Sequence, residues 1–116
     1  MKKDIAVFLS HILESIEKVR EFTHNVSKDK FKKDVKLQDA VIRRIEIIGE
    51  AAKNIPSDFR EKHPAIPWAE MARTRDKLIH GYFGVDLDLT WNIIKLDLPS
   101  LKEKIGKIMK KMKVSD

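Results

Sequence analysis

Apolar residues recur at three- and four-residue steps along most of this chain, so the pattern predicts helices. Ile5, Leu9, Ile12, Leu13, Ile16 and Val19 make one stripe, with Asp4 placed to cap the helix start and Asn25-Val26-Ser27 to end it. Ser27 to Asp34 reads as a short basic turn or helix. A second long helix is expected from Val35 to Asn54, with Leu37, Val41, Ile45, Ile48 and Ala52 on one face. Ile42 and Ile47 extend its apolar character to other faces, which marks it as central. Gly49 weakens that helix, and its expected use is close approach of a neighbour.

Pro56 stops the second helix, and Ile55 to Pro67 reads as a connector holding one short helical turn. A third helix is predicted from Trp68 to Tyr82, begun by Pro67 and ended by Gly81 and Gly84. Asp88 is placed to cap a last helix. Its stripe of Ile94, Leu98, Leu101, Ile105, Ile108 and Met112 runs through Pro99, so one kinked helix or two nearly collinear ones are expected. The predicted fold class is all-α, an up-and-down bundle of four main helices in a single domain over residues 1–116.

Composition narrows the chemistry. The chain has 116 residues, 42% of them hydrophobic and 36% charged, which suits one folded domain with a charged surface. It has no cysteine, so disulfides, thiolate metal sites and a cysteine nucleophile are excluded. The opening residues make a poor signal peptide and no membrane span, and a cytoplasmic location is expected. Net charge is +6, from 24 Lys plus Arg against 18 Asp plus Glu. The excess gathers at Lys28, Lys30, Lys32, Lys33 and Lys36, and again between Lys102 and Lys113. Such clusters attract polyanions such as RNA, although solvated lysine-rich helix faces look the same in sequence.

The third helix departs from the ordinary pattern. At 100° per residue, Trp68, Met71, Ala72, Leu78, Ile79 and Tyr82 fill an apolar arc, and Arg75 points to its middle. An arginine on a core side needs a carboxylate, a phosphate or an open cleft. Glu46 or Glu50 of the second helix is the expected structural partner, unless the side chain snorkels to the bundle edge. On an ideal helix His80 falls roughly 140° from the arc and one turn after Asp76, which could hold its ring. Tyr82 returns to the Arg75 stripe. Together Arg75, His80 and Tyr82 offer a fixed cation, an acid or base active near neutral pH, and a hydroxyl. His11 and Glu14 lack further ligands, His24 and His63 fall at helix ends or loops, and Trp68 and Trp91 suit the core. No metal site or cofactor is expected.

Arg75-Asp-Lys-Leu-Ile-His80-Gly-Tyr82 resembles the Arg, four residues, His, any residue, Tyr motif of HepT-like proteins in the HEPN superfamily. Asp39-Ala-Val-Ile-Arg, Ile48-Gly-Glu-Ala-Ala, Ile66-Pro-Trp, His80-Gly-Tyr-Phe-Gly-Val-Asp, Trp91 and Asp97-Leu-Pro follow the same family's order over nearly the whole chain. The resemblance implies a helical bundle that forms a homodimer with two motifs facing each other. It also implies a metal-independent endoribonuclease toxin acting on RNA, paired with a minimal nucleotidyltransferase antitoxin that adds AMP to Tyr82. Arg75 and His80 would then be catalytic, Tyr82 would position substrate, and Asp76 would support them. An alternative within the same resemblance is a non-catalytic nucleotide-binding module that serves as substrate and scaffold for the nucleotidyltransferase.

Overall fold

A computed structural model describes residues 2–79 and 84–115. Among these residues the α-helices are, in order, α1 Lys2–Phe22, α2 Lys28–Lys33, α3 Val35–Lys53, α4 Ser57–Lys62, α5 Trp68–Leu78, α6 Leu87–Asn92 and α7 Leu98–Ser115. Helices are the regular elements among the described residues, with no named strand, and α1, α3, α5 and α7 are the long members of an all-α bundle. No helix among them is long and apolar enough to cross a membrane.

α3 is the central helix, packed on α1 along one side and on α5 along another. Its Val41, Ile42, Ile45, Ile48, Ala51 and Ala52 are all buried, which explains why its apolar residues are not confined to one stripe. Leu9, Ile12, Ile16 and Val19 of α1 meet this core, as do Leu98, Leu101, Ile105 and Ile108 of α7. Burying a large aliphatic side chain contributes about 1.5–3 kcal/mol, so these stripes supply the main stabilisation of a chain without covalent cross-links.

Local chemistry sets the boundaries. Asp4 lies inside the first turn of α1 and not ahead of it. Ser27 caps α2 through its hydroxyl, which accepts from Lys30 N, and Asp34 caps α3 by accepting from Leu37 N. The cap of α6 is Asp86, which accepts from Leu89 N. Asp88, expected in that role, sits two residues later inside the first turn and accepts from Lys32 Nζ at 3.2 Å, with Lys28 Nζ at 3.1 Å. Two basic residues of α2 are thereby tied to the start of α6.

A π-helical turn, Ile93–Asp97, joins α6 to α7, so helical backbone runs from Leu87 to Ser115. Leu98 N bonds Ile93 O, five residues back, immediately before Pro99, which has no amide to give. The wide turn lets the adjacent Ile93 and Ile94 both enter the core while Lys95 and Leu96 face solvent.

The third predicted helix is shorter than its pattern suggests. α5 ends at Leu78, and Ile79 is extended at φ −102° and ψ 117°. Ile79 pairs with Val85 in an antiparallel bridge, and Asp86 N donates to Leu78 O at 2.8 Å. These long-range bonds replace the next helical turn, and Gly84 at φ +114° supplies a backbone conformation that L side chains rarely adopt. α5 therefore stops at Leu78, and residues 80 and 82, expected on the same helix, lie outside the described residues.

Candidate functional site

The site is set by the contact between α3 and α5. A Cβ added at Gly49 would lie 3.1 Å from the backbone oxygen of Met71, so the missing side chain is what lets the two helices approach. Arg75 is one turn beyond Met71, and Glu46 is nearly one turn before Gly49. The close crossing therefore brings them together: Arg75 Nε donates to Glu46 Oε2 at 2.7 Å. The guanidinium Nη1 also lies 3.7 Å from Asp76 Oδ1, within ion-pair range.

Arg75 is not buried among the apolar residues of its arc. Its side chain is 51% exposed, while Trp68, Met71 and Leu78 are buried. Of the outcomes expected for an arginine in that arc, the structure shows the side chain running to the bundle edge, with Glu46 as its partner. Its long aliphatic stem lets the charged head reach the edge of the bundle, where Glu46 receives it. Of the two carboxylates expected from sequence, Glu46 is the partner, and Glu50 accepts from Lys53 Nζ at 3.5 Å.

Arg75 and Asp76 line a depression of about 330 Å³ with Arg43, Glu46, Glu50 and Lys53. Three cations face three carboxylates there, so the local field is nearly balanced. The Nε bond holds the guanidinium plane, and among the described residues neither Nη group makes a hydrogen bond. Such a fork can hold two oxygens of a phosphate. Sequence spacing gave no reason to include Arg43, which α3 brings to the same rim.

His80 and Tyr82 lie outside the described residues. Their flanks are placed: Leu78 is fully buried, and Ile79 and Val85 are bridged. Among the described residues, no group of three or more His, Asp or Glu stands close enough to hold a metal ion. His11 and Glu14 are exposed on α1, and His63 ends α4 with its ring 4.5 Å from Phe59. Trp68 is buried with its indole N–H bonded to His63 O at 3.0 Å. Trp91 packs on Phe31 with ring centres 5.4 Å apart.

A small helical bundle presenting a fixed arginine on its rim defines a class of domain and no unique activity. The sequence is decisive: residues 12–108 match the model of the ribonuclease HepT-like family, and the chain belongs to it. A relative from Thermococcus cleftensis, "Probable ribonuclease HepT", is 54% identical over 95% of this chain and 100% of its own length. Another, from Methanocaldococcus jannaschii, bears the name "Gamma-glutamylcyclotransferase and putative RNase" and is 58% identical over 97% of this chain. The chain spans 50% of that relative's length. No solved structure matches the chain.

Proposed function

We propose that this protein is a metal-independent endoribonuclease, with Arg75 and His80 as its catalytic residues. The observation that carries the reading is the presentation of Arg75: a half-exposed guanidinium, oriented by Glu46, four residues before the bridged junction at Ile79. Membership of the HepT-like family supplies the reaction class.

RNA carries its own nucleophile. The 2′-oxygen attacks phosphorus as a base removes its proton, and the 5′-oxygen leaves as an acid protonates it. The products are a 2′,3′-cyclic phosphate and a 5′-hydroxyl. Arg75 holds the non-bridging oxygens as negative charge grows on them. His80 supplies proton transfer near neutral pH. One chain has one such histidine, and a two-fold homodimer supplies the second, so base and acid come from opposite protomers. Tyr82 positions substrate. A cognate nucleotidyltransferase silences the toxin when the Tyr82 oxygen attacks the α-phosphorus of ATP, forming AMP-tyrosine and releasing pyrophosphate.

The test is cleavage of cellular RNA by purified protein with EDTA present. Cyclic phosphate ends are expected, with activity lost in His80→Ala. Activity that appears only with added magnesium overturns the metal-independent mechanism.

A second reading has one observation in its favour. Glu46, Glu50 and Asp76 balance the cations beside Arg75, which weakens attraction for a phosphate. A non-catalytic nucleotide-binding scaffold, modified on Tyr82 by its partner, tolerates that balance. RNA left intact by wild type, combined with AMP transfer to Tyr82, would establish this reading.

A further inference from the structure

On another face, the end of α1 and the π-helical turn bound an open groove of about 360 Å³. Arg20 and His24 stand on the α1 side, and Lys95 and Lys102 stand on the other. Val19 and Ile94 contribute to an apolar floor between them. From these features we propose that the groove binds the sugar-phosphate backbone of single-stranded RNA, with cations on phosphates and base faces on the floor. The inference rests on the ribonuclease reading for the identity of its ligand, and it adds a binding site remote from the motif.

The groove is built for anions along its length. Glu17 accepts from Arg20 Nε at 3.2 Å and from Lys102 Nζ at 3.0 Å, joining α1 to α7 and holding two cations across from each other. That single carboxylate leaves two net positive charges among Arg20, Lys95 and Lys102, unlike the balanced depression beside Arg75. Lys95 is exposed because the π turn carries it outward, and its ammonium lies 4.8 Å from the centre of the Trp91 ring. The end of α1 is the negative pole of a helix, which opposes an anion. Thr23 moderates this by donating both its amide and its hydroxyl to Val19 O, at 3.0 and 2.8 Å.

Cations on both walls of an open groove fit a run of phosphates better than one small ion, which wants converging donors. An aliphatic floor is wasted on inorganic phosphate but accepts the apolar face of a base. Single-strand binding by other proteins uses the same pairing of a charged track with surfaces for bases.

The experiment measures fluorescence anisotropy of a labelled single-stranded RNA of about 12 nucleotides, a length spanning several phosphates. The His80→Ala protein is the parent, so that the probe survives. Lys95→Gln with Lys102→Gln should raise Kd about tenfold or more and reduce the log–log salt slope by about 1.4, two phosphates' worth. Lys107→Gln with Lys110→Gln, the same charge change further along α7, should alter Kd by less than about threefold; melting temperatures establish that all variants are folded. Equal losses in the two double variants, or no loss in the first, overturn the groove.

Cleavage by the corresponding variants with His80 intact separates the two readings. A raised KM with kcat retained in the Lys95 and Lys102 variant supports the groove. RNA bound through the groove but never cut by wild type leaves the groove standing and removes the ribonuclease reading. RNA cut normally, with Kd unchanged in that variant, does the reverse.

Discussion

Glu46 and Arg75 meet through one hydrogen bond of 2.7 Å, from the guanidinium Nε to the carboxylate, across the crossing of α3 and α5. Use of Nε, and not of the terminal nitrogens, orients the fork while leaving its outer edge to a substrate.

On the proposed ribonuclease mechanism, Glu46 is a positioning residue. Glu46→Ala should lower RNA cleavage about 10- to 100-fold, the usual scale for loosening a catalytic group. Stability should change little, because an exposed ion pair contributes about 0–1 kcal/mol. Arg75→Lys should not restore activity, since an ammonium offers no planar fork. Cleavage rates read beside urea midpoints check this, and Glu46→Ala with full activity would end the positioning role.

Gly49 and Gly106 should respond to alanine with opposite signs. At Gly106 a Cβ meets nothing within 4 Å, so Gly106→Ala should stabilise by about 0.5–1 kcal/mol through helix propensity. At Gly49 the new methyl presses on a backbone oxygen at 3.1 Å, and backbone yields poorly. Gly49→Ala should destabilise by about 1 kcal/mol net and reduce cleavage by moving Arg75. Paired urea titrations decide the signs.

Stability should fall through His63 as pH drops from the ordinary histidine pKa of 6.5 toward its lower folded value. Burial, then the positive charges of Lys111 and Lys62, hold its pKa below the ordinary 6.5. The unfolded chain takes up the proton first as pH falls. The contribution of neutral His63 is therefore complete above about 6.5 and lost as pH drops through its lower folded value. His63→Gln should flatten this limb. A further acid limb, below the ordinary carboxylate pKa, should come from Asp88, held low by hydrogen bonds from Lys28 and then Lys32. Asp88→Asn should diminish that second limb alone.

Tyr82→Phe should retain much of the ribonuclease activity and escape silencing by the cognate nucleotidyltransferase with ATP. Intact mass after incubation should show whole AMP units on wild type and none on the variant. AMP found on Tyr82→Phe, or full cleavage by completely modified wild type, would count against control at this tyrosine.

A homodimer with the motifs of both chains facing each other is the expected assembly in solution. Light scattering at micromolar concentration and low salt should give twice the chain mass, and Arg75→Glu should weaken it or leave it inactive. Mixing inactive Arg75→Ala with inactive His80→Ala should restore part of the activity if each site draws on both chains. No restoration in mixed dimers would remove the composite site.

Local pattern alone determined the all-α class, the central place of α3, the stripes of α1 and α7, and the need for a small residue at Gly49. Those properties follow from periodicity and side-chain size, which depend on neighbours one or two turns away. Arg75 stood out for the same reason, as a cation interrupting an apolar arc. Tertiary contacts decided the rest. The bridge from Ile79 to Val85 follows directly on the end of α5 at Leu78, short of the end its apolar pattern predicts. The crossing at Gly49 selects Glu46 over Glu50 and lets Arg75 reach the rim. The π turn before Pro99 sets Lys95 across a groove from Arg20, although 75 positions separate them in sequence. Spacing along a helix predicts which residues share its face; which neighbour that face meets is fixed only when the whole bundle packs.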